Sequence, residues 1–471
     1  MIHPLHDLPR QGDDPVTPFA RRTTGLRPLR LIVDTQGITD RESLAVLESL
    51  CDSPDVDAWG TSDDLEQWWE IDFATVQNDH FPVIGHRPGG TTYRGLLAST
   101  WRRISEKAET DLPFELVLRE LGYTEVAHEC RFDLLVTDSE FLLSGPFKTA
   151  ERLNIRSTKD AVALVALLLR SRGICTLGDS EAFVQGSFWF YLVAARATLP
   201  ASASWFRACV LSSGDRGGLE LDAEKPSLAF LAQMTYERID WAIRTRDTLL
   251  TTDELQPYYL DTFLFQIIGA FDTVAQVAHL ALGLSSEDGG NPSWRTKRWL
   301  RELAKHSPDL AAVVAEKTAH GDALEIIGLL RNTIHEGGLP TIDMNIGFSS
   351  RSLTTVRTPR GGYAARSFKE SIERLGGPGA WGIHEITTGV TTLAPKEFVD
   401  RALVASLGAL NALMHATPTE MFPKPESPEP PASVQREGPD WPWSTWTYDR
   451  TLLVLGLIDD VRQMDGSTPL P

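Results

Sequence analysis

The sequence predicts two unlike halves: an N-terminal α/β domain with a parallel sheet and helices, and a mostly α-helical C-terminal domain with a small β insertion. Three observations predict this. Short β-branched apolar runs alternate with helical spacing over residues 29–200, the pattern of a parallel sheet covered by helices. From about residue 225 the helical period dominates, and from 340 to 393 it gives way to strand-like runs. The length of 471 residues exceeds what one ordinary core supports.

The elements follow in order. Residues 1–28 are rich in Pro, Asp and Arg without a hydrophobic period and read as a flexible leader. Leu29 to Asp34 fits a buried strand, and Thr39 and Asp40 are placed to cap a helix whose inward stripe is Leu44, Leu47 and Leu50. Residues 52–92 read as an insertion with a helix or two, and further helices are expected over 92–106 and 113–121. Phe132 to Thr137 reads as a second strand, Thr158 to Arg172 as a helix, 174–177 as a short strand and 181–199 as a helix. The α/β domain is expected to span 29–200, and the boundary to fall at 200–225.

The helical domain, 225–415, begins with long helices at Ser227 to Leu250 and Asp253 to Leu282. Ser293 to His306 is basic on one face, Asp309 to Thr318 is short, and Asp322-Ala323-Leu324-Glu325 reads as a capping box for a helix that Gly337-Gly338 stops. Strand-like runs at 341–348, 352–357 and 383–393 make the insertion, and Phe398 to His415 closes the domain. Residues 418–443 are proline-rich and read as a linker, and 445–465 hold a last amphipathic helix.

Composition narrows the setting. Cys51, Cys130, Cys175 and Cys209 form no metal-binding spacing, which fits a reducing, cytoplasmic compartment. No secretory signal is read at the N-terminus, and no uncharged apolar run reaches the about 18 residues of a membrane span. Arginine far outnumbers lysine, as in a GC-rich bacterial genome. The formal charge of −19 argues against general duplex DNA binding, which needs a basic footprint, but leaves room for a local pocket.

The C-terminal candidate site is Leu330-Arg331-Asn332-Thr333-Ile334-His335. Arg331 and His335 are i and i+4 and share a helix face. Ala323, Ile327, Leu330 and Ile334 form the core stripe, and Gly328 falls on the Arg/His flank. A permanently charged guanidinium beside an imidazole suits phosphodiester chemistry, the one neutralising phosphate and the other moving a proton. Asp272, in an otherwise apolar helix, needs a partner if buried; Arg331 and His279 are the natural ones, and the pair either orients the site or is a core ion pair. His335 also reads as a favourable cation at a helix C-terminus. The Arg-Asn-x-x-His run resembles the HEPN superfamily of RNA-cleaving and nucleotide-binding domains over residues 225–415. The resemblance implies that Arg331 and His335 are ribonuclease residues, with Asn332 as the polar residue that often follows the arginine, RNA as partner, and a homodimer through the helical domain. This sequence has three residues between Arg and His, where that family usually has four to six.

The N-terminal candidates are Asp34 and Asp138, each closing a strand, with Glu120 on a preceding helix and the middle acid open among Glu115, Glu120 and Glu129. Carboxylates gathered at strand ends suit Mg²⁺ or Mn²⁺ and two-metal phosphodiester cleavage. Such aspartates also serve as helix caps and turn formers. Asp34 after the first strand and the Thr137-Asp138 pair make residues 28–180 resemble a PIN-like nuclease domain. The sequence therefore supports three readings: a ribonuclease using Arg331 and His335, a metal-dependent nuclease at Asp34 and Asp138, and a non-catalytic binding or regulatory protein.

Overall fold

The computed structural model describes residues 27–61, 73–77, 82–86, 123–124, 127, 132–143, 154–176, 183–185, 187–213, 226–252, 255–285, 290–337, 341–345, 352–359, 362–387, 390–423 and 445–464. The chain divides into two compact units, residues 1–185 with 453–456, and 186–452 with 457–471.

The first unit is α/β. Its described elements are β1 (Leu29–Val33), α1 (Arg41–Cys51), β2 (Val56–Thr61), β3 (Phe73–Gln77), β4 (Pro82–His86), β5 (Leu134–Val136), α2 (Glu140–Leu143), β6 (Asn154–Arg156), α3 (Thr158–Ser171), β7 (Ile174–Thr176) and β8 (Phe183–Gln185). Six strands form one sheet in the order β3-β4-β2-β1-β5-β6. All its pairs are parallel except β3 with β4. The strand order runs outward from β1 in both directions, so the switch point of the sheet lies between β1 and β5. Chain segments leaving the carboxyl ends of the two strands run to opposite sides of the sheet there.

Local signals build these elements as expected. Asp40 caps α1 by accepting from the Ser43 amide at 3.0 Å, and Leu47 and Leu50 are fully buried. Ser157 caps α3 by accepting from the Asp160 amide at 3.1 Å. Leu164, Leu167, Leu168 and Leu169 of α3 are buried, each contributing about 2 kcal/mol of apolar transfer. Between 52 and 92 the described residues form β2, β3 and β4 where helices were expected. Val56-Asp57-Ala58-Trp59-Gly60-Thr61 has no continuous apolar run, and it is parallel pairing with β1 that makes it a strand. β7 pairs with β8 in a separate two-stranded ribbon rather than with the main sheet. The helices expected at 92–106 and 113–121 lie outside the described residues.

The second unit is helical. It begins with α4 (Ser187–Ala197), α5 (Ser202–Ser213), α6 (Leu228–Thr251) and α7 (Gln256–Ala281). α4, assigned from sequence to the α/β half, packs on α6 instead, and its Tyr191 hydroxyl donates to Asp247 at 2.9 Å. The division therefore falls at 185/186, ahead of the expected 200–225. α4 is apolar on most of its surface, so its period did not reveal its partner. α6 and α7 form a long helical hairpin, joined through the buried Thr235 and Thr273 hydroxyls at 2.8 Å. α7 has the length and apolarity of a membrane-crossing helix, and 61% of its most apolar window is buried. It packs on α6 and on three later elements, α8 (Lys297–His306) and α9 (Pro308–Val313) leading into the first of these, α10 (Ala319–Gly337).

β9 (Thr341–Asn345), β10 (Ser352–Arg357), α11 (Gly362–Arg374), β11 (Ile383–Thr387), β12 (Val390–Leu393) and α12 (Pro395–Ala416) follow. The four strands form an antiparallel sheet, β11-β12-β10-β9. α12 is central, packing on α6, α7, α9 and α10. The buried Arg246 ties α6 to it through Asp400 at 2.5 Å. The expected capping box is not one: α10 begins at Ala319, before Asp322, which instead receives two hydrogen bonds from Arg374 at 2.7 and 2.6 Å, while Glu325 accepts from Ser367 at 3.0 Å. The last helix is two, α13 (Thr445–Leu455) and α14 (Ile458–Met464). Gly456 at φ 72° ends the first with a Leu457 amide to Leu452 carbonyl bond of 2.9 Å, a Schellman stop that a β-carbon would strain.

Candidate functional site

In the first unit, Asp34 and Asp138 stand at the carboxyl ends of β1 and β5, at the switch point. Their oxygens are occupied. The buried Asp34 accepts from the Gly37 amide at 3.0 Å and from the Thr137 hydroxyl at 2.8 Å. A β-carbon at Gly37 would stand 2.0 Å from Asp34 Oδ2, so the turn closes only around glycine. One oxygen of Asp138 accepts from the Thr39 and Asp40 amides at 2.9 and 3.1 Å, and the other from the Thr158 amide and hydroxyl at 2.9 Å each. Asp138 thus pins the starts of α1 and α3 together, satisfying amides that each helix leaves open. Burial alone would raise its carboxyl, but the bonds from Thr158, Asp40 and Thr39 outweigh burial and hold the pKa below the usual carboxylate value. Among the described residues no group of three or more His, Cys, Asp and Glu side chains is arranged to hold a metal. Glu120 lies outside the described residues.

In the second unit, Arg331, Asn332 and Asp272 line one open cleft of about 1100 Å³. α7 contributes Asp272, α10 contributes Glu325, Arg331 and Asn332, and α11 contributes Tyr363, Ser367 and Arg374. The segment before α8 contributes Arg295. This segment is held by Trp294, whose indole donates to the Phe271 carbonyl at 2.8 Å and meets Trp299 edge-on at 5.0 Å.

Asp272 makes no ion pair within 4.0 Å and no hydrogen bond among the described residues. Burial raises its pKa, and the opposing charges of Arg331, Arg238 and Arg295 do not cancel that rise. Its surroundings are therefore three guanidiniums about one half-buried carboxylate, not a closed ion pair. The other expected partner, His279, accepts instead from the Trp299 indole at 3.3 Å. Nε of Arg331 and Nε of Arg295 are both buried without a hydrogen-bond partner. Glu325 approaches Arg295 Nε only to 3.8 Å, too far for a hydrogen bond. Buried donors left unpaired cost about 1–3 kcal/mol each, and such groups in a cleft wall are places where a ligand supplies the missing acceptor.

Arg295 and Arg238 were not singled out in the sequence, yet each leaves a trace there. A β-carbon at Gly328 would stand 2.5 Å from Arg295 Cζ, and one at Gly269 2.5 Å from Arg238 Cζ. Two glycines inside long helices, where the residue is disfavoured by about 1 kcal/mol against Ala, are the cradles of two guanidiniums. Lys317, also in the cleft wall, holds the left-handed conformation at φ 69°, a strained geometry for a lysine. His335 lies in α10, one turn beyond Arg331; its side chain lies outside the described residues.

The cleft is not uniformly basic. Among its described lining residues five cations (Arg295, Lys297, Lys317, Arg331 and Arg374) face five carboxylates (Asp272, Glu316, Asp322, Glu325 and Glu370). Lys297 pairs with Glu316 at 2.7 Å and Arg374 with Asp322, so the less engaged positive charge sits with Arg295, Lys317 and Arg331. Chemically, this wall can bind a single phosphate-sized anion through two forked donors. No protein-family model, no curated protein and no solved structure matches the chain.

Proposed function

We propose that this protein is an RNA-cleaving enzyme acting at the α7–α10–α11 cleft, with Arg331 as the phosphate-binding cation and His335 as the proton carrier. One observation carries the reading: Arg331 stands in the wall of an open cleft with a buried, unpartnered Nε, and Asp272 does not close on it. The Arg-Asn-x-x-His run and its resemblance to HEPN domains support it, with Asn332 in the same cleft wall.

The chemistry follows from the residue types. His335 takes the proton of a ribose 2′-hydroxyl, whose oxygen then bonds to phosphorus as the bond to the 5′-oxygen breaks. The leaving oxygen receives a proton from the imidazolium. Arg331, assisted by Arg295, stabilises the charge that builds on the phosphoryl oxygens. Asp272 limits the net positive charge, so that a single phosphate is held without the cleft becoming a general polyanion trap. Two facing copies of the helical unit, as in the HEPN resemblance, are the assembly proposed.

A second reading, a non-catalytic RNA-binding or regulatory protein, is favoured by the even balance of acidic and basic groups in the cleft. Incubating single-stranded RNA with the wild type, Arg331→Ala and His335→Ala, with and without EDTA, separates the two. The enzyme reading expects cleavage by the wild type in EDTA and its loss by at least about a hundredfold in either variant, the lower range for a proton-transfer group. RNA bound but never cut supports the binding reading. Cleavage that EDTA abolishes and His335→Ala leaves intact contradicts the proposal.

A further inference from the structure

A second cleft, of about 620 Å³, lies in the helical unit between α12, α14 and the start of α10. Its floor is one stripe of α12, Val404, Ala405, Gly408 and Ala412, where small side chains recur at helical spacing. A β-carbon at Gly408 would project between His320 Cε1 and Met464 Cε, each 3.8 Å away, so this glycine deepens the middle of the groove. Leu375 and Met464 extend the apolar walls.

Polar groups line the ends of the groove, and His320 and Asn411 stand near its middle. Arg401 and His415 line the groove from positions 14 residues apart on α12, about 21 Å along a helix axis. Arg401 is exposed, and among the described residues its hydrogen bond is a long one, 3.5 Å, from Nη2 to the Leu375 carbonyl. Asp460 and His320 face the same space. Burial pushes the Asp460 carboxyl up against the charges of Arg401 and Arg246, and it pushes the His320 imidazole down. Arg401 is the one guanidinium among the described residues of the lining.

We propose that this groove is a binding site for an unbranched aliphatic monocarboxylate, a fatty acid of medium chain length, with its tail along the Gly408 stripe and its carboxylate on the Arg401 guanidinium. The floor selects the tail: a stripe of small and apolar residues on α12 gives an aliphatic chain a surface to lie along. The charge selects the head, since a guanidinium fork matches a carboxylate. The volume is that of an ordinary small-molecule site, about 300–1,000 Å³. This site is independent of the RNA-cleaving cleft.

The test is calorimetric titration of the full chain with decanoate and, separately, with 1-decanol. Decanoate is expected to bind one to one, and decanol about tenfold more weakly, the loss of one partly exposed charge-assisted contact. Arg401→Gln, at an exposed position, is expected to weaken decanoate about tenfold and leave decanol unchanged. Gly408→Leu, which fills the groove, is expected to abolish both, with circular dichroism confirming the fold; Ala405→Leu serves if that variant does not fold. The proposal is overturned if the wild type binds neither compound, if Arg401→Gln leaves the preference for decanoate intact, or if a folded groove-filling variant still binds. It is also overturned if the wild type sediments as a dimer that Gly408→Leu dissociates, which would assign the groove to a second copy of the chain.

Discussion

Gly328→Ala tests whether the guanidinium cradle serves the cleft. Its added β-carbon would stand 2.5 Å from Cζ, Nε and Nη1 of Arg295, a distance that real β-carbons essentially never show, so the guanidinium must leave. Eviction is cheap for the fold, because the displaced atoms are the end of a flexible side chain. It surrenders a half-exposed ion pair with Glu325, at most about 1 kcal/mol. Replacing glycine by alanine within α10 returns about 1 kcal/mol of helix propensity. The net change in stability is therefore within about 1 kcal/mol of zero. Binding responds differently, since a phosphate loses one charged donor, worth about 1.5 kcal/mol at the low end, or about tenfold in affinity. Fluorescence anisotropy with a labelled single-stranded RNA reads this directly. Arg295→Ala is expected to give the same loss, and the double variant no more than either alone, because both remove one group. Losses that add in the double variant, or unchanged RNA affinity with a stability gain of about 1 kcal/mol, would show that Arg295 does not hold the phosphate.

Three further outcomes are expected. Asp272→Asn removes a carboxylate whose pKa burial has raised; a raised acid favours the fold below its unfolded pKa and loses that advantage as pH rises through the folded value, so at neutral pH the variant melts higher than the wild type. The same change is expected to tighten RNA binding about fivefold, a screened Coulomb interaction of about 1 kcal/mol, measured by anisotropy at low salt. Asp138→Asn works the other way: its lowered folded pKa gives stability above the unfolded carboxylate value that fades as pH falls through the folded one. The variant's deficit in melting temperature is therefore expected at pH 7 and shrinks in acid. Arg374→Ala strands the buried Asp322 with Ser371 as its remaining hydrogen-bond partner; since Arg374 is itself about a third exposed, a loss of about 1–3 kcal/mol in urea unfolding is expected, below the range for a fully buried pair.

How much of this was legible in the sequence differs between the halves. β1, β5, α1 and α3 carried their own signals, namely continuous apolar runs and side-chain caps at Asp40 and Ser157. β2 did not, because Asp57, Trp59 and Gly60 break any simple alternation and the strand exists through its pairing with β1. α11 was missed in the β insertion because Phe368 and Ile372 alone among its apolar residues are buried, too sparse a stripe to read. Asp322 and Glu325 had the spacing of a cap, but tertiary partners on α11 claim both side chains. In the candidate site, Arg331, Asn332 and Asp272 were legible as neighbours because helix periodicity and a lone carboxylate in an apolar helix are local facts. Arg238 and Arg295 were not, since what places them is glycines 31 and 33 residues further along the chain, at 269 and 328. Mid-helix glycines without a turn or cap role were the available signal.

Cleavage at the Arg331 cleft is proposed to run through the 2′-hydroxyl, and end-group analysis of single-stranded RNA incubated with the purified protein in EDTA reads that step. The expected fragments end in 2′,3′-cyclic phosphate and are absent with Arg331→Ala and where the attacked nucleotide is 2′-deoxy. Intact RNA, or fragments ending in 3′-hydroxyl and 5′-phosphate, would contradict the proposal.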